Sequence, residues 1–240
     1  MVAAKLYTRS RLIAFPIDKL LDERRNFVGF TMRKIVGNKP IHELYAPGSR
    51  KAEFPSTDYR FLVRTASNVA RAVASVHGTG CVIGDINHSG ILVGDKATVT
   101  LIDADSFQVR LGTMIYRCRV GVREYTPPEL QGQKLEVIDR QPWHDAFGLA
   151  VIVFQLLFMG RHPFAGRFAG QGDVPIERAI KEGRFAFSVE RRAETRMDPP
   201  PFMPTLTDMT ADVASAFERA FQANPSRYKS RPTIVSRRVV

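Results

Sequence analysis

The first hundred residues alternate short apolar runs with polar breaks. Residues 12–15 and 27–32 are apolar and flank the polar turn Asp22-Glu23-Arg24-Arg25, which predicts two strands of a hairpin. Residues 38–55 are rich in Pro and Gly and read as a linking segment. A helix over about 58–76 follows, with Ser56, Thr57 or Asp58 as its cap. Leu62, Ala66, Val69, Val73 and Val76 recur on one face of it, and residues 77–80 end it. Two more apolar runs, 91–93 and 99–102, surround Gly94-Asp95-Lys96 and predict a second hairpin. Residues 126–129 form a rigid Pro-Pro break. Trp143-His144-Asp145 precedes an apolar helix over 146–159, and a Pro-rich loop at 199–204 precedes a helix around 208–222. Strands, one helix, a hairpin and then mostly helices make an α+β layout with a helical second half.

Composition narrows the class. With 44% hydrophobic and 25% charged residues, the chain is neither disordered nor collagen-like. Cys81 and Cys118 lie 37 residues apart with no C-x-x-C, which excludes a disulfide framework or a cysteine zinc site and makes a reducing cytoplasm the expected setting. Residues 146–160 include Gln155 and are too few to span a bilayer, which needs about 20, so no membrane span is expected. Residues 1–15 lack the apolar core of a secretory signal. The net charge is +11, with 9 basic against 3 acidic residues in 1–40 and 11 against 7 in 181–240. Basic ends suit a solvated surface, an acidic partner, nucleic acid or anionic lipid. The five histidines, at 42, 77, 88, 144 and 162, form no zinc-hydrolase spacing.

From residue 27 to 233 the chain resembles a protein kinase. The run 27–32 resembles the strand leading to the adenine-holding hinge. Residues 33–37 would be that hinge, with Thr31 or Met32 as gatekeeper. Ile83-Gly84-Asp85-Ile86-Asn87 sits where the catalytic loop H-R-D-L-x-x-x-N belongs, and Ile102-Asp103-Ala104-Asp105 where D-F-G belongs. Pro127-Pro128-Glu129 resembles A-P-E, and Asp145 resembles the Asp that braces the catalytic loop from helix F. Residues 225–233, with Arg231, resemble the late motif whose Arg pairs with the A-P-E Glu. The narrower resemblance is to bacterial kinase-like domains of helix-hairpin-helix proteins associated with a PP2C-type phosphatase and a von Willebrand A protein. It rests on Gly84-Asp85-Ile86-Asn87, the phrase 102–107 and the phrase 160–167.

The resemblance implies an α+β protein-kinase-like fold, with residues 1–37 as a shortened N-lobe and hinge and 38–240 as a helical C-lobe. It implies ATP and Mg²⁺ (or Mn²⁺) as cofactors and a protein substrate or partner. Asp85 would be the base, with Asn87 beside it. Asp103 would hold the metal, with Asp105 as a second carboxylate. Lys5, in Val2-Ala3-Ala4-Lys5, would be the phosphate lysine, although a solvated terminal lysine is an equal reading. Met32, Arg33, Lys34 and Ile35 would hold the nucleotide. Glu129, Asp145 and Arg231 would be structural, with Arg227 as the fallback partner of Glu129.

Several parts are missing. There is no G-x-G-x-x-G. The metal-binding Asn position falls on Gly90. Lys5 and Met32 are too close in sequence for two strands and a full helix C, and Glu23 falls in a turn. Impaired transfer is therefore expected. Two other readings stay open, a non-catalytic pseudokinase module acting through protein contacts and a basic nucleic-acid-associated domain. Cys118, among Arg117, Arg119 and Arg123, would be either an inert or a reactive thiol.

Overall fold

The computed structural model describes residues 1–232, so Thr233 and the rest of the segment to 240 lie outside the described residues. The structure is mixed α and β. β1 (Pro16–Leu21) and β2 (Phe27–Met32) form an antiparallel hairpin closed by the turn at 22–26, where Asp22 accepts from the backbone and side chain of Asn26.

The first arm of this hairpin is 16–21, not 12–15. Ile13, Ala14 and Phe15 are all buried, and the segment runs along the second hairpin instead. Ile13 bridges Leu101 in parallel, and Leu101 exchanges backbone bonds with Leu12 and Ala14 at 2.8 Å each. An unbroken apolar run has no polar face to offer solvent, so it packs inward on both sides. Before β1 the only helical turn among the described residues is the 3₁₀ turn Leu6–Thr8, and no helix lies between β1 and β2.

The segment 38–55 is not a plain linker. β3 (Lys39–Pro40) leads into α1 (Ile41–Tyr45) and α2 (Pro47–Glu53). Pro47 occupies the first turn of α2, where a missing N–H costs nothing, so here proline starts a helix. Ile41, Leu44 and Tyr45 bury the face of α1.

α3 (Tyr59–His77) carries the five predicted apolar residues on its buried face, and Asp58 caps it by accepting from Phe61 N–H at 2.9 Å. β4 (Ile91–Val93) and β5 (Val99–Leu101) pair antiparallel, and β3 adds to the β4 edge. A hairpin unforeseen in the sequence, β6 (Val109–Leu111) with β7 (Met114–Tyr116), follows at the surface. α4 (Pro142–Leu157) begins four residues earlier than the apolar run, so Trp143, His144 and Asp145 lie in its first turn. It packs against α3.

The remaining elements are β8 (Arg167–Phe168), α5 (Ile176–Lys181), α6 (Arg192–Thr195), β9 (Met197–Asp198) and α7 (Ala211–Ala220). The helix expected around 208–222 is therefore shorter at both ends. Phe154 stacks on Phe158 at 3.9 Å and meets Phe185, Phe187, Phe217 and Phe221 edge-on, which fastens the last third of the chain to α4. Among the described residues no helix is long and apolar enough to cross a membrane.

Candidate active site

The loop after α3 is held from below by one carboxylate. Asp145, 2% exposed, accepts Ile83 N–H at 2.8 Å and Gly84 N–H at 2.7 Å, and its Oδ2 lies 2.8 Å from His77 Nε2. Three donors satisfy a buried charge that sits in the first turn of α4, where the helix dipole favours an anion. Val82, just upstream, exchanges backbone bonds with Gln108. The loop is therefore tied both to α4 and to the segment that follows Asp103.

Gly84 takes a left-handed backbone (φ 77°), and a Cβ there would fall 2.6 Å from the Cβ of Cys118. Gly84→Ala should cost at least about 2 kcal/mol, from overpacking added to the backbone penalty. That predicts a melting temperature lower by roughly 4–8 °C in thermal unfolding.

Asp85, Asn87, Gly90 and Asp103 line one small cleft, walled by Ile83, Ile91 and Phe107. Asp85 Oδ1 accepts Val122 N–H at 3.0 Å. Asn87 steadies the turn, accepting Ser89 N–H at 2.8 Å and donating to the Asp85 carbonyl at 3.3 Å. Asp103 sits in the left-handed region (φ 58°), a conformation that costs a non-glycine residue about 1–3 kcal/mol and is met at functional sites. Asp103 is largely exposed, but partial desolvation beside the cleft holds its carboxyl above the usual range, and the negative charges of Asp105 and Asp85 push it further the same way. A cation placed there would relieve that repulsion.

Among the described residues no group of three His, Cys, Asp or Glu side chains is close enough to hold a metal unaided. Carboxylate oxygens on one wall, with phosphate and water completing the shell, fit Mg²⁺. Asp105 is exposed in the 3₁₀ turn Ala104–Ser106 and does not line the cleft, so it acts on Asp103 through charge.

The other expected nucleotide-binding residues are not brought to this cleft. Lys5 is exposed, with left-handed backbone (φ 50°), at the start of the Leu6–Thr8 turn. A V-A-I-K lysine needs a strand to aim it, and residues 2–5 form a turn because Leu6 buries itself just beyond. Met32 ends β2, and Arg33, Lys34 and Ile35 form a connector in which Arg33 Nη2 donates to the Arg11 carbonyl at 2.6 Å. None of these four lines the cleft.

One residue had no sequence signal. Arg140, 1% exposed, enters from the connector before α4 and packs under Gly84. Its Nη2 donates to the Val120 carbonyl at 3.0 Å, and its backbone is clamped by the Gln108 side chain at 2.7 and 2.8 Å. Burial lowers its pKa, while Cys118, Asp145 and Asp85 favour its charge. Cys118 is fully buried, and burial pushes its thiol up despite the nearby cation. The reactive reading of Cys118 therefore gives way to the inert one. Farther out, Arg231 forms a two-pronged pair with Glu129, at 2.5 Å and 2.8 Å.

No family model matches the chain. It is 38% identical over 196 residues to a protein named protein kinase YegI from Escherichia coli (strain K12), a match that takes in 81% of this chain and 30% of that protein. The protein of the same name from Escherichia coli O157:H7 gives the same identity and coverage. The chain thus spans about a third of the length of the curated relatives it matches. This similarity supports a protein-kinase-like relationship.

Proposed function

We propose that this chain is a protein-kinase-like domain with a two-stranded N-lobe remnant, binding Mg-ATP weakly and transferring phosphate to a protein hydroxyl slowly. The observation that carries the reading is the single cleft in which Asp85, Gly90 and Asp103 meet above a loop pinned by Asp145. Mg-ATP, when bound, supplies the phosphoryl group and the counter-charge that its transfer needs. Asp103 would hold the metal. Asp85 has one oxygen fixed by Val122 N–H, which aims the other at an incoming hydroxyl, whose proton it accepts. Asp145 and His77 keep the loop in register while this happens.

Gly90 is the weak point. Its backbone is not left-handed, and a side chain built there would meet open space. Gly90→Asn should therefore be accommodated and should add a second oxygen ligand beside Asp103. Labelled-phosphate incorporation against Mg²⁺ should show half-maximal rate at a several-fold lower metal concentration in the variant, with Asp85→Ala as the blank. Strong transfer by the natural chain at low metal would contradict the role given to Gly90. Calorimetry of Mg-ATP binding tests the cofactor reading directly, and equal affinity in Asp103→Ala would remove it.

The position of Lys5 favours a second reading. With no lysine among the residues lining the cleft, the chain would bind nucleotide without turning it over and act through protein contacts. Nucleotide binding with no incorporation in either the natural chain or Gly90→Asn would select it.

A further inference from the structure

The stretch 117–123 passes the candidate base with its backbone tied down. The Val120 carbonyl accepts from Arg140, Val122 N–H donates to Asp85, and Cys118 is fully buried. Arg119, Val120 and Arg123 remain exposed on this fixed ribbon, the two arginines lying on either side of the point where it touches Asp85. Arg117 is neutralised by Asp139 at 2.7 Å. Among the described residues, neither Arg119 nor Arg123 has a carboxylate within salt-bridge range.

Solvated surface arginines are commonplace, but these adjoin exposed apolar side chains. Val120 lies between them, and Leu111, Met114 and Tyr116 stand on the β6–β7 hairpin that leads into the ribbon, each more than half exposed. Cations mixed with apolar area on a rigid backbone suit recognition more than solubility. A polyphosphate chain would bring its charges against Asp85 and Asp103 as well. A peptide need not, because a neutral serine or threonine can face Asp85 while its acidic neighbours reach the arginines.

Resting on the phosphoryl-transfer reading above, we infer that Arg119 and Arg123 form a docking strip for an acidic protein segment, presenting a hydroxyl residue flanked by Asp or Glu to Asp85. Arginine suits this role because its planar fork pairs with carboxylate in two places at once.

The test uses three fluorescently labelled peptides, each with one serine flanked on both sides by three Glu, three Ala or three Lys. Binding is read by anisotropy at low salt without nucleotide, so it does not depend on catalysis. The Glu peptide should bind at least tenfold tighter than the Ala peptide, and the Lys peptide weakest. The double variant R119E/R123E should lose at least tenfold for the Glu peptide. R9E/R24E makes the same change in net charge at exposed positions away from the cleft and should lose less than threefold. Equal losses in the two doubles, or equal binding of the Glu and Ala peptides, overturn the strip. Phosphate incorporation is then measured on the same peptides. Preferred labelling of the Glu peptide supports both readings. Equal labelling of all three removes the substrate class and leaves transfer standing. Tight, Arg119-dependent binding with no labelling upholds the strip and removes transfer.

Discussion

Glu129→Gln should destabilise the chain by about 3–5 kcal/mol, because it strands a charge that cannot be given up. Arg231 is 2% exposed, its two Nη groups donate to the two Glu129 oxygens, with Nη1 also reaching the Trp143 carbonyl at 3.5 Å, and its Nε has no partner. The guanidinium is boxed in by the rings of Phe147 and Tyr228 at 5.4 and 4.6 Å. A neutral amide offers one acceptor where the carboxylate offered two, and it removes the counter-charge. Arginine stays protonated at any ordinary pH, so the penalty cannot be escaped by titration. The reverse change should cost less. In Arg231→Met the stranded group is Glu129, whose side chain is 15% exposed and can find water. In thermal unfolding, Glu129→Gln should lower the midpoint by roughly 6–20 °C and Arg231→Met by less. An unchanged midpoint for Glu129→Gln would mean that the pair contributes nothing to holding residues 129 and 231 together.

This pair was expected only through the resemblance to a protein kinase, whose late Arg pairs with the A-P-E Glu, and the structure brings Arg231 and Glu129 together. Asp145 was expected on the same ground, by its likeness to the Asp that braces the catalytic loop from helix F. The long elements were legible locally, α3 from its helical period and α4 from its unbroken apolar run. What stayed hidden was decided by contacts distant in sequence. Residues 12–15 read as a strand of the first hairpin, yet they bury against Leu101 and leave the polar-apolar mixture 16–21 to pair with β2. The Pro and Gly of 38–55 read as a linker, but proline at the start of α2 is a beginning as well as a break. Arg140 carried no signal, since nothing local says that a lone arginine will fill the space left by Gly84 and Cys118. Lys5 shows the converse. Three of four letters matched a motif whose chemistry depends on a strand, and the local chain supplies a turn.

Lowering the pH from 7 to 5 should destabilise this chain markedly, and two buried histidines are the main cause. Burial pushes His162 down to about 4 and does the same to His144. Geometry gives a further reason in each ring. His162 Nδ1 accepts Phe164 N–H at 3.2 Å while Nε2 faces the Glu124 carbonyl at 2.9 Å, so the neutral tautomer with its proton on Nε2 fits both neighbours. His144 Nδ1 accepts Gln141 N–H at 3.1 Å. A proton added to either Nδ1 would point one N–H at another. In the unfolded chain both rings take their proton near pH 6.5, and in the folded chain only near 4. The stabilisation from neutral, buried imidazole is therefore complete above 6.5 and is lost as pH falls toward 4, where it levels off. At pH 5 each ring should already have forfeited about 2 kcal/mol relative to pH 7, or about 4 together, a large share of the 5–15 kcal/mol typical of a folded domain. His88, lowered by burial and by the charge of His42, works in the same direction, while the raised carboxyl of Asp103 works against it. Urea unfolding at pH 7 and pH 5 measures the difference, and nuclear magnetic resonance of the native rings should find His144 and His162 untitrated from pH 7.5 to 5.5. Stabilities within about 1 kcal/mol of each other at the two pH values, or a native His162 titrating near 6.5, would show that these rings accept their proton without disturbing the fold.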